Sequence, residues 1–203
     1  MLLIVATRNL HKGREIEAAL GIPGLTLKTA LAIPGAPEVQ ESADTMEGNA
    51  ILKARALALH ARGWALADDS GLEVEALHGA PGVYSARYAG PHASDQDNNR
   101  KLLRALQGKQ NRDACFRCVL ALASPSGEVR TVSGTCHGRI ATRARGRRGF
   151  GYDPLFIPRG EERSFAELEP EEKQRISHRG RALAAARCAW GAWLQSNPSD
   201  WPR

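Results

Sequence analysis

The stretch ALADDSGLEVEAL, residues 65–77, places two adjacent carboxylates inside an apolar sequence. We predict that WALAD (64–68) is a buried strand, that the pair Asp68–Asp69 stands at its end, and that LEVEAL (72–77) is a second strand. A buried charge without a partner is costly, so the pair needs compensation. Mg²⁺, which is commonly held by one or two carboxylates and substrate phosphates, is one candidate. A helix cap or an arginine partner is the other, and the pair alone leaves both open.

Strand-like and helical patterns alternate along the rest of the chain, which favours a mixed α/β domain with a long central sheet. Two capping boxes, Asp44–Glu47 and Ser94–Asp97, predict helix starts. The predicted strands are LLIVA (2–6), LTLKTA (25–30) and a hairpin of ACFRCVLALA (114–123) with EVRTVSGTCHGRI (128–140), and the predicted helices cover about 45–61, 94–106 and 182–194.

Composition narrows the class of protein. The net charge is +6, from 28 Lys and Arg against 22 Asp and Glu, which suits a polyanionic partner such as a nucleotide, a nucleic acid or an anionic lipid. Five arginines without an acid lie in RIATRARGRR (139–148), although a solvated loop explains them as well. No apolar run approaches the roughly 18–20 residues of a membrane span. The N-terminus lacks signal-peptide features, so we expect a cytoplasmic protein.

The four cysteines do not form a recognisable metal or disulfide pattern. Cys115 and Cys118 make one C-x-x-C, but no second pair follows at zinc-ribbon spacing. We therefore expect the cysteines to be small buried hydrophobic residues. We expect the same of Trp190 and Trp193 in the closing helix, which suit a core or an interface better than a ligand stack.

Three further segments carry groups that could bind an anionic ligand. Residues 7–12, TRNLHK, turn from a strand into a helix, whose free N–H groups favour phosphate, although ordinary capping by Thr7 or Asn9 is the alternative. Residues 149–154, GFGYDP, surround an aromatic ring with glycines, which lets a backbone approach a flat ligand. Lys173 adds a positive charge, although a salt-bridging surface lysine is the alternative. The segment 177–180, SHRG, presents donors at what we predict to be a helix break at Gly180.

Together these segments resemble the non-standard purine nucleoside triphosphate pyrophosphatases, the inosine triphosphate pyrophosphatase-like family. The resemblance runs in order along nearly the whole chain, and its motifs are ATRNLHK (6–12), GNAILKA (48–54), ADDSGLEVEALHGAPGVYSARYAG (67–90), GFGYDP (149–154) and EEKQRISHRGRAL (171–183). It implies a single two-lobed domain over residues 1–203, with the lobes around a nucleotide cleft. It also implies Mg²⁺-dependent hydrolysis of ITP, dITP and XTP between the α and β phosphates.

The resemblance also implies roles for individual residues. Asp69 matches the general base and a metal ligand, Glu41 matches a second metal ligand, and Asp68 and Lys53 are supporting residues. The implied substrate contacts are Thr7, Arg8, Asn9, Leu10, His11, Lys12, Ser70, Phe150, Gly151, Tyr152, Asp153, Lys173, His178 and Arg179. Residues 7–12 and Lys173 would handle the phosphates, and Phe150 would stack near the base. The family implies a homodimer, and we expect neither a membrane nor a nucleic acid as a partner.

The chain departs from the family pattern at three positions. Gly48 replaces a glutamate and Met46 a phenylalanine, while Arg8 adds charge to the first loop. A glycine inside a helix costs about 1 kcal/mol against alanine, so we expect a less rigid helix there.

Two other functions compete with this one. One alternative keeps the fold and acts on modified pyrimidines, as do the septum-formation-inhibitor-like pyrophosphatases. The other is an RNA-binding protein that uses the arginines, which would have no need of Asp68–Asp69.

Overall fold

The computed structural model of the chain describes residues 1–7 and 9–196, without the side chains of Leu10, His11 and Arg14. Its strands are β1 (Leu2–Val5), β2 (Thr26–Thr29), β3 (Trp64–Val74), β4 (Asp113–Ala123), β5 (Val129–Ile140) and β6 (Phe156–Pro158). Its α-helices are α1 (Leu10–Leu20), α2 (Met46–Ala61), α3 (Asp95–Ala105), α4 (Pro170–Ile176) and α5 (His178–Gln195). Four short 3-10 helices lie at Ala30–Ala32, Glu75–Leu77, Gly82–Arg87 and Phe165–Glu167.

The six strands form one mixed sheet in the order β2-β1-β3-β4-β5-β6. Strand β1 runs parallel to both β2 and β3, whereas β5 and β6 are antiparallel. The turn of residues 124–127 joins β4 to β5, with Gly127 N–H donating to the Ser124 carbonyl. The predicted mixed α/β fold with long central strands and flanking helices, including its hairpin, is therefore confirmed.

The chain divides into two compact units, each with its own apolar core. The first comprises residues 1–69, 118–134 and 179 onward, and its core holds Ile16, Leu66, Leu120 and Trp190. The second comprises residues 70–117 and 135–178, and its core holds Leu72, Phe116, Phe156 and Phe165. In the first unit Trp193 packs edge-on against Trp64 with ring centroids 4.5 Å apart, and Trp190 lies in the core, so Trp190 and Trp193 are structural, as expected.

The prediction of two strands around Asp68–Asp69 was wrong, because β3 continues through the pair from Trp64 to Val74. Adjacent strand residues point to opposite faces, so the two carboxylates do not crowd one another. Each of them also has its own cationic partners, described below. The aspartates therefore lie inside a long strand rather than at its end.

The start of α2 also differs from the predicted capping box. Thr45, not Asp44, is the N-cap, and its hydroxyl accepts a hydrogen bond of 3.0 Å from Gly48 N–H. Gly48 thus lies in the first turn rather than inside the helix. A Cβ added at Gly48 would lie 2.6 Å from the Ala43 Cβ, so glycine allows a close approach here. Glu47 accepts from the Thr131 hydroxyl instead of reaching back to the cap.

The other sequence-based expectations meet mixed outcomes. The Ser94–Asp97 capping box is present at the start of α3. The helix break lies at Ser177, whose backbone is extended, and α5 runs on through Gly180, so the predicted break at Gly180 was wrong. Cys118 and Cys136 are buried, but Cys188 is exposed. In the part of the chain that the structure describes, no helix has the length and apolar character to cross a membrane.

Candidate active site

In the first unit, the parallel pairing of β1 and β3 brings residues 7–12 and the aspartate pair together. Val5 lies opposite Leu66 in the ladder, and Ala6 N–H donates to the Leu66 carbonyl at 2.7 Å. Thr7 and Asp68 therefore follow at the same edge. The polar turn after β1 therefore lies beside a polar pair inside β3.

The turn after β1 is built by its own side chains. The Thr7 hydroxyl accepts from Asn9 N–H at 3.1 Å, and Asn9 Oδ1 accepts from Lys12 N–H at 3.3 Å. Asn9 thus acts as a cap for α1, the alternative that the sequence had left open for it. Thr7 is buried and Asn9 is exposed. Arg8 and the side chains of Leu10 and His11 lie outside the described residues.

Asp68 is a buried carboxylate held by two cations. Lys12 Nζ lies 3.0 Å from Asp68 Oδ2, and the Arg179 guanidinium donates to the same oxygen at 3.0 and 3.3 Å. On its other side, Arg179 contacts Glu15 at 2.5 Å. Burial alone would raise the pKa of Asp68, but Lys12 and Arg179 hold that pKa far below its usual range. Asp68 therefore stays ionised, and Lys12 and Arg179 are oriented by it.

Asp69 points the other way and shares one lysine with Glu41. Lys53 Nζ lies 2.7 Å from Asp69 Oδ1 and 2.9 Å from Glu41 Oε1. Lys53 comes from α2, one turn after the buried Asn49, whose side chain bonds both backbone groups of Ala43. The segment that leads to α2 and the helix itself thus bring an acid and a base to the β3 aspartate.

The pKa values of this trio are shifted in directions that matter chemically. Burial raises the pKa of Asp69; Lys53 opposes the shift, and the nearby charge of Glu41 adds to it. Burial would lower the pKa of Lys53, but the charges of Asp69, Asp68 and Glu41 outweigh it and raise that pKa. Lys53 therefore remains a cation, while Asp69 is a stronger base than an exposed aspartate. Such a raised pKa is a common property of catalytic carboxylates.

In the second unit, the segment 149–153 is organised around Asp153. The Asp153 Oδ2 atom accepts from Phe150 N–H at 3.0 Å and from Lys173 Nζ at 2.7 Å. Both residues of this ion pair are buried. The Lys173 ammonium also lies 5.0 Å from the centre of the Phe150 ring, within range of a cation–π contact. Lys173 is therefore a buried member of this segment rather than a surface residue.

Two other predicted residues of the second unit are buried beside aromatic rings. Tyr152 is 4% exposed and its hydroxyl donates to the Ser85 carbonyl at 2.9 Å, so this ring anchors the segment and does not stack on a ligand. The His178 ring lies parallel to Phe116 with centroids 4.5 Å apart. One face of the imidazole is thus covered, and its edge carries the polar atoms.

Residues that the sequence analysis did not single out contact the predicted ones, and four of them are Glu15, Phe116, Asp95 and Asn99. Glu15 contacts Arg179, and Phe116 stacks on His178, as described above. Asp95 and Asn99 of α3 both bond to Gly151. Helical spacing shows which residues share a face, but not which loop that face meets. Ser70, the remaining predicted residue, is half-buried in β3, and the second unit begins with it.

The arginine cluster of residues 139–148 is partly neutralised by acids that follow it in the chain. Arg145 pairs with Glu167 at 3.1 Å and Arg148 pairs with Glu169 at 2.7 Å. The Ala166 carbonyl accepts from the N–H groups of residues 147 and 148, which ties the loop down. The cluster is therefore a structured loop with its own ion pairs. No set of three or more His, Cys, Asp and Glu side chains in the described residues is arranged around a common metal position.

Known proteins resemble the chain over most of its length. A profile of the Ham1 family matches residues 3–188. A protein of an Exiguobacterium species named dITP/XTP pyrophosphatase is 52% identical over 183 residues, which is 90% of this chain and 93% of that protein. A Geobacter sulfurreducens protein of the same name is 52% identical over 185 residues, covering 90% of this chain and 92% of that protein.

Solved structures agree with these sequence matches. A HAM1 protein from Coxiella burnetii superposes with a TM-score of 0.87 at 38% identity, covering 93% of this chain and 98% of that one. A structure from Mycobacterium abscessus, titled nucleoside-triphosphatase / dITP/XTP pyrophosphatase, has a TM-score of 0.75 at 45% identity and covers 91% of this chain and 97% of that one.

Proposed function

Because the chain belongs to the Ham1 family, we propose that it hydrolyses dITP, ITP and XTP to the nucleoside monophosphate and pyrophosphate. The chain is a hydrolase of the nucleoside triphosphate pyrophosphatase class. Its role is to remove non-standard purine nucleotides from the nucleotide pool. The observation that carries the proposal is the buried Asp69 carboxylate, which has a raised pKa and shares Lys53 with Glu41.

Asp69 is the general base in this account. Its carboxylate takes a proton from a water molecule, the water oxygen bonds to the α-phosphorus, and the bond from that phosphorus to the bridging oxygen breaks. Pyrophosphate leaves with the bonding electron pair. A base of raised pKa is effective here, because it accepts the proton more readily than an exposed aspartate does.

Lys53 and Asp68 support this base in different ways. Lys53 holds one oxygen of Asp69 at 2.7 Å and thereby orients the carboxylate. Asp68 is engaged by Lys12 and Arg179, which holds its pKa low, so it cannot act as a proton acceptor at neutral pH. The two adjacent aspartates thus have separate roles: one accepts a proton, and the other keeps cations in place.

The donor set of the trio fits Mg²⁺. Glu41 and Asp69 direct carboxylate oxygens to one point, where the Lys53 ammonium lies, and hard oxygen donors combined with phosphates are what this ion prefers. Glu41 and Asp69 would hold the ion. When bound, Mg²⁺ neutralises phosphate charge that develops during the reaction. The positive charge of Lys53 offsets the repulsion between the two carboxylates.

The proposed substrate contacts form two groups that differ in chemistry. In the first, residues 7–12 supply backbone N–H groups and the Lys12 charge for phosphates, with Arg179 as a further donor. In the second, the half-exposed Phe150 stacks on the base, and Lys173 adds a positive charge. Five further residues bind the substrate or position the residues that bind it: Ser70, Gly151, Tyr152, Asp153 and His178. Donors that match a 6-oxo group would disfavour a 6-amino group.

A panel assay tests the function. Pyrophosphate release from dITP, ITP, XTP, ATP and dTTP is measured with and without Mg²⁺. We expect the three non-standard purine nucleotides to be hydrolysed at least ~100-fold more efficiently than ATP, the order of discrimination that mismatched hydrogen bonds provide. Equal rates on dITP and dTTP would contradict a purine-specific site.

We also propose that the protein is a homodimer. The mass measured by light scattering would establish or refute this.

A further inference from the structure

The segment Gly149–Asp153 is attached to α3 through one glycine. Gly151 N–H donates to Asp95 Oδ2 at 2.6 Å, and Asn99 Nδ2 donates to the Gly151 carbonyl at 2.9 Å. Asp95 and Asn99 are four residues apart on α3 and so lie on the same helix face. The two polar backbone groups of a single residue are therefore both held by one face of one helix.

This segment needs such an attachment because its backbone is intrinsically permissive. Gly149 and Gly151 have φ values of 76° and 60°, which glycine adopts far more readily than other residues. A Cβ at Gly149 would lie 2.0 Å from Asp153 Oδ2, whereas one at Gly151 would meet nothing within 4 Å. Gly149 thus makes room for the Asp153 carboxylate. At Gly151, glycine is needed for the backbone conformation and not for space.

The attachment complements the one at the other end of the segment. Lys173 of α4 holds Asp153, and Asp153 in turn holds Phe150 N–H. At Gly151 both polar backbone groups are held by α3. With both helices engaged, the position of the Phe150 ring is set from two sides.

Asp95 has a simpler explanation, which the contacts do not favour. An acidic residue in the first turn of a helix stabilises the helix dipole wherever its side chain points. In α3, however, Asp97 already forms the capping box with Ser94. The Asp95 carboxylate instead forms a short charge-assisted bond to the loop.

We propose that Asp95 and Asn99 are positioning residues, which hold the Phe150–Asp153 segment in the conformation that binds the nucleobase. They act through Gly151 and do not contact the substrate themselves. The proposal rests on the function proposed above for Phe150. It assigns α3 a role in substrate binding as well as in the core.

Hydrogen exchange measured by mass spectrometry tests the attachment without reference to activity. We expect Asp95→Ala and Asn99→Ala to accelerate amide exchange in peptides that cover 149–153 by about tenfold, the loss expected for a charge-assisted or neutral hydrogen bond. Asp97→Ala is the matched control, because it removes the cap of the same helix turn but no bond to Gly151. Equal acceleration by all three variants would overturn the proposal.

Steady-state kinetics with dITP tests the role in binding. We expect Asp95→Ala to raise KM about fivefold with kcat within about twofold, because a binding contact is lost equally in the ground and transition states. Asp95→Asn, which keeps an acceptor oxygen, should restore most of the KM. Asn99→Asp should be worse than Asn99→Ala, because it puts an acceptor against a carbonyl.

The two proposals can fail separately. If the wild-type protein releases no pyrophosphate from dITP, the proposed function falls, and the exchange data still decide whether α3 holds the segment. If the wild-type protein is active and Asp95→Ala leaves both exchange and KM unchanged, the positioning role is wrong. A KM increase that Asp97→Ala reproduces would equally overturn it.

Discussion

Lys53 Nζ lies 2.7 Å from Asp69 Oδ1, and this contact connects the proposed general base to a second acid. The same ammonium lies 2.9 Å from Glu41, so one cation opposes two carboxylates. Besides the effect of burial, Lys53 lowers the pKa of Asp69 and Glu41 raises it, and each of these two effects can be removed by a single substitution.

Lys53→Met should move the acidic limb of the pH profile upward. The limb of kcat/KM reports the pKa of the base in the free enzyme, which here lies above the ordinary aspartate value of about 3.9. Loss of the lysine removes an influence that lowers this pKa, so the limb should shift to higher pH. A rate profile measured with dITP between pH 4 and 9 checks this, and an unchanged limb would count against Asp69 as the base.

Glu41→Gln should move the same limb in the opposite direction. The Glu41 charge raises the pKa of Asp69, so its removal should lower the acidic limb. Because Glu41 is also a proposed metal ligand, we expect the Mg²⁺ concentration needed for half-maximal activity to rise about tenfold or more. Titration of activity with Mg²⁺ separates the two effects. If the acidic limb moved in the same direction in Lys53→Met and in Glu41→Gln, the electrostatic account would be contradicted.

Asp68→Asn should destabilise the protein at neutral pH. It should also make the free energy of unfolding depend less on pH in the acidic range. The folded-state pKa of Asp68 is depressed, so its stabilising contribution is present above the unfolded pKa of about 3.9 and is lost as the pH falls below that value. Removal of the charge leaves Arg179 with a weaker partner, which should cost about 3–5 kcal/mol. Urea unfolding at pH 7 and at pH 3 measures the loss of stability and its dependence on pH. Glu73→Gln, which alters a more exposed pair with Arg117, is the control and should cost less than about 1 kcal/mol.

Two glycine substitutions should have opposite effects on stability. Gly48→Ala would place its Cβ 2.6 Å from the Ala43 Cβ, so we expect a loss of about 1–3 kcal/mol. Gly191→Ala, inside α5, meets nothing within 4 Å and should gain about 0.5–1 kcal/mol. Thermal unfolding of the two variants checks the pair. Stabilisation by Gly48→Ala would show that the start of α2 is looser than described.

The sequence predicted much of the fold, because apolar periodicity and turn residues report directly on secondary structure. The hairpin, the Ser94 cap and the closing helix were foreseen on this basis. The continuous strand through Asp68–Asp69 was not, because a charged pair reads as a boundary unless its partners are known. Those partners come from α1, α2 and α5, which lie up to 111 residues away in the chain. Local pattern cannot supply them.

The resemblance predicted residues for the candidate site but not the contacts between them. The resemblance identified Asp69, Glu41 and Lys53, and the structure brings these three together. It did not indicate that Lys173 pairs with Asp153, or that Tyr152 is buried against Ser85. Contacts of this kind depend on side-chain directions in three dimensions. Glu15, Phe116, Asp95 and Asn99 were missed for the same reason.

The rate of pyrophosphate release from dITP by Asp69→Asn tests the central claim most directly. The substitution keeps the size of the side chain and removes its basicity, so with saturating Mg²⁺ we expect kcat to fall by at least ~100-fold, the usual contribution of a general base. Binding of dITP and the melting temperature serve as controls for folding. A variant that binds dITP and releases pyrophosphate at the wild-type rate would show that Asp69 is not the base.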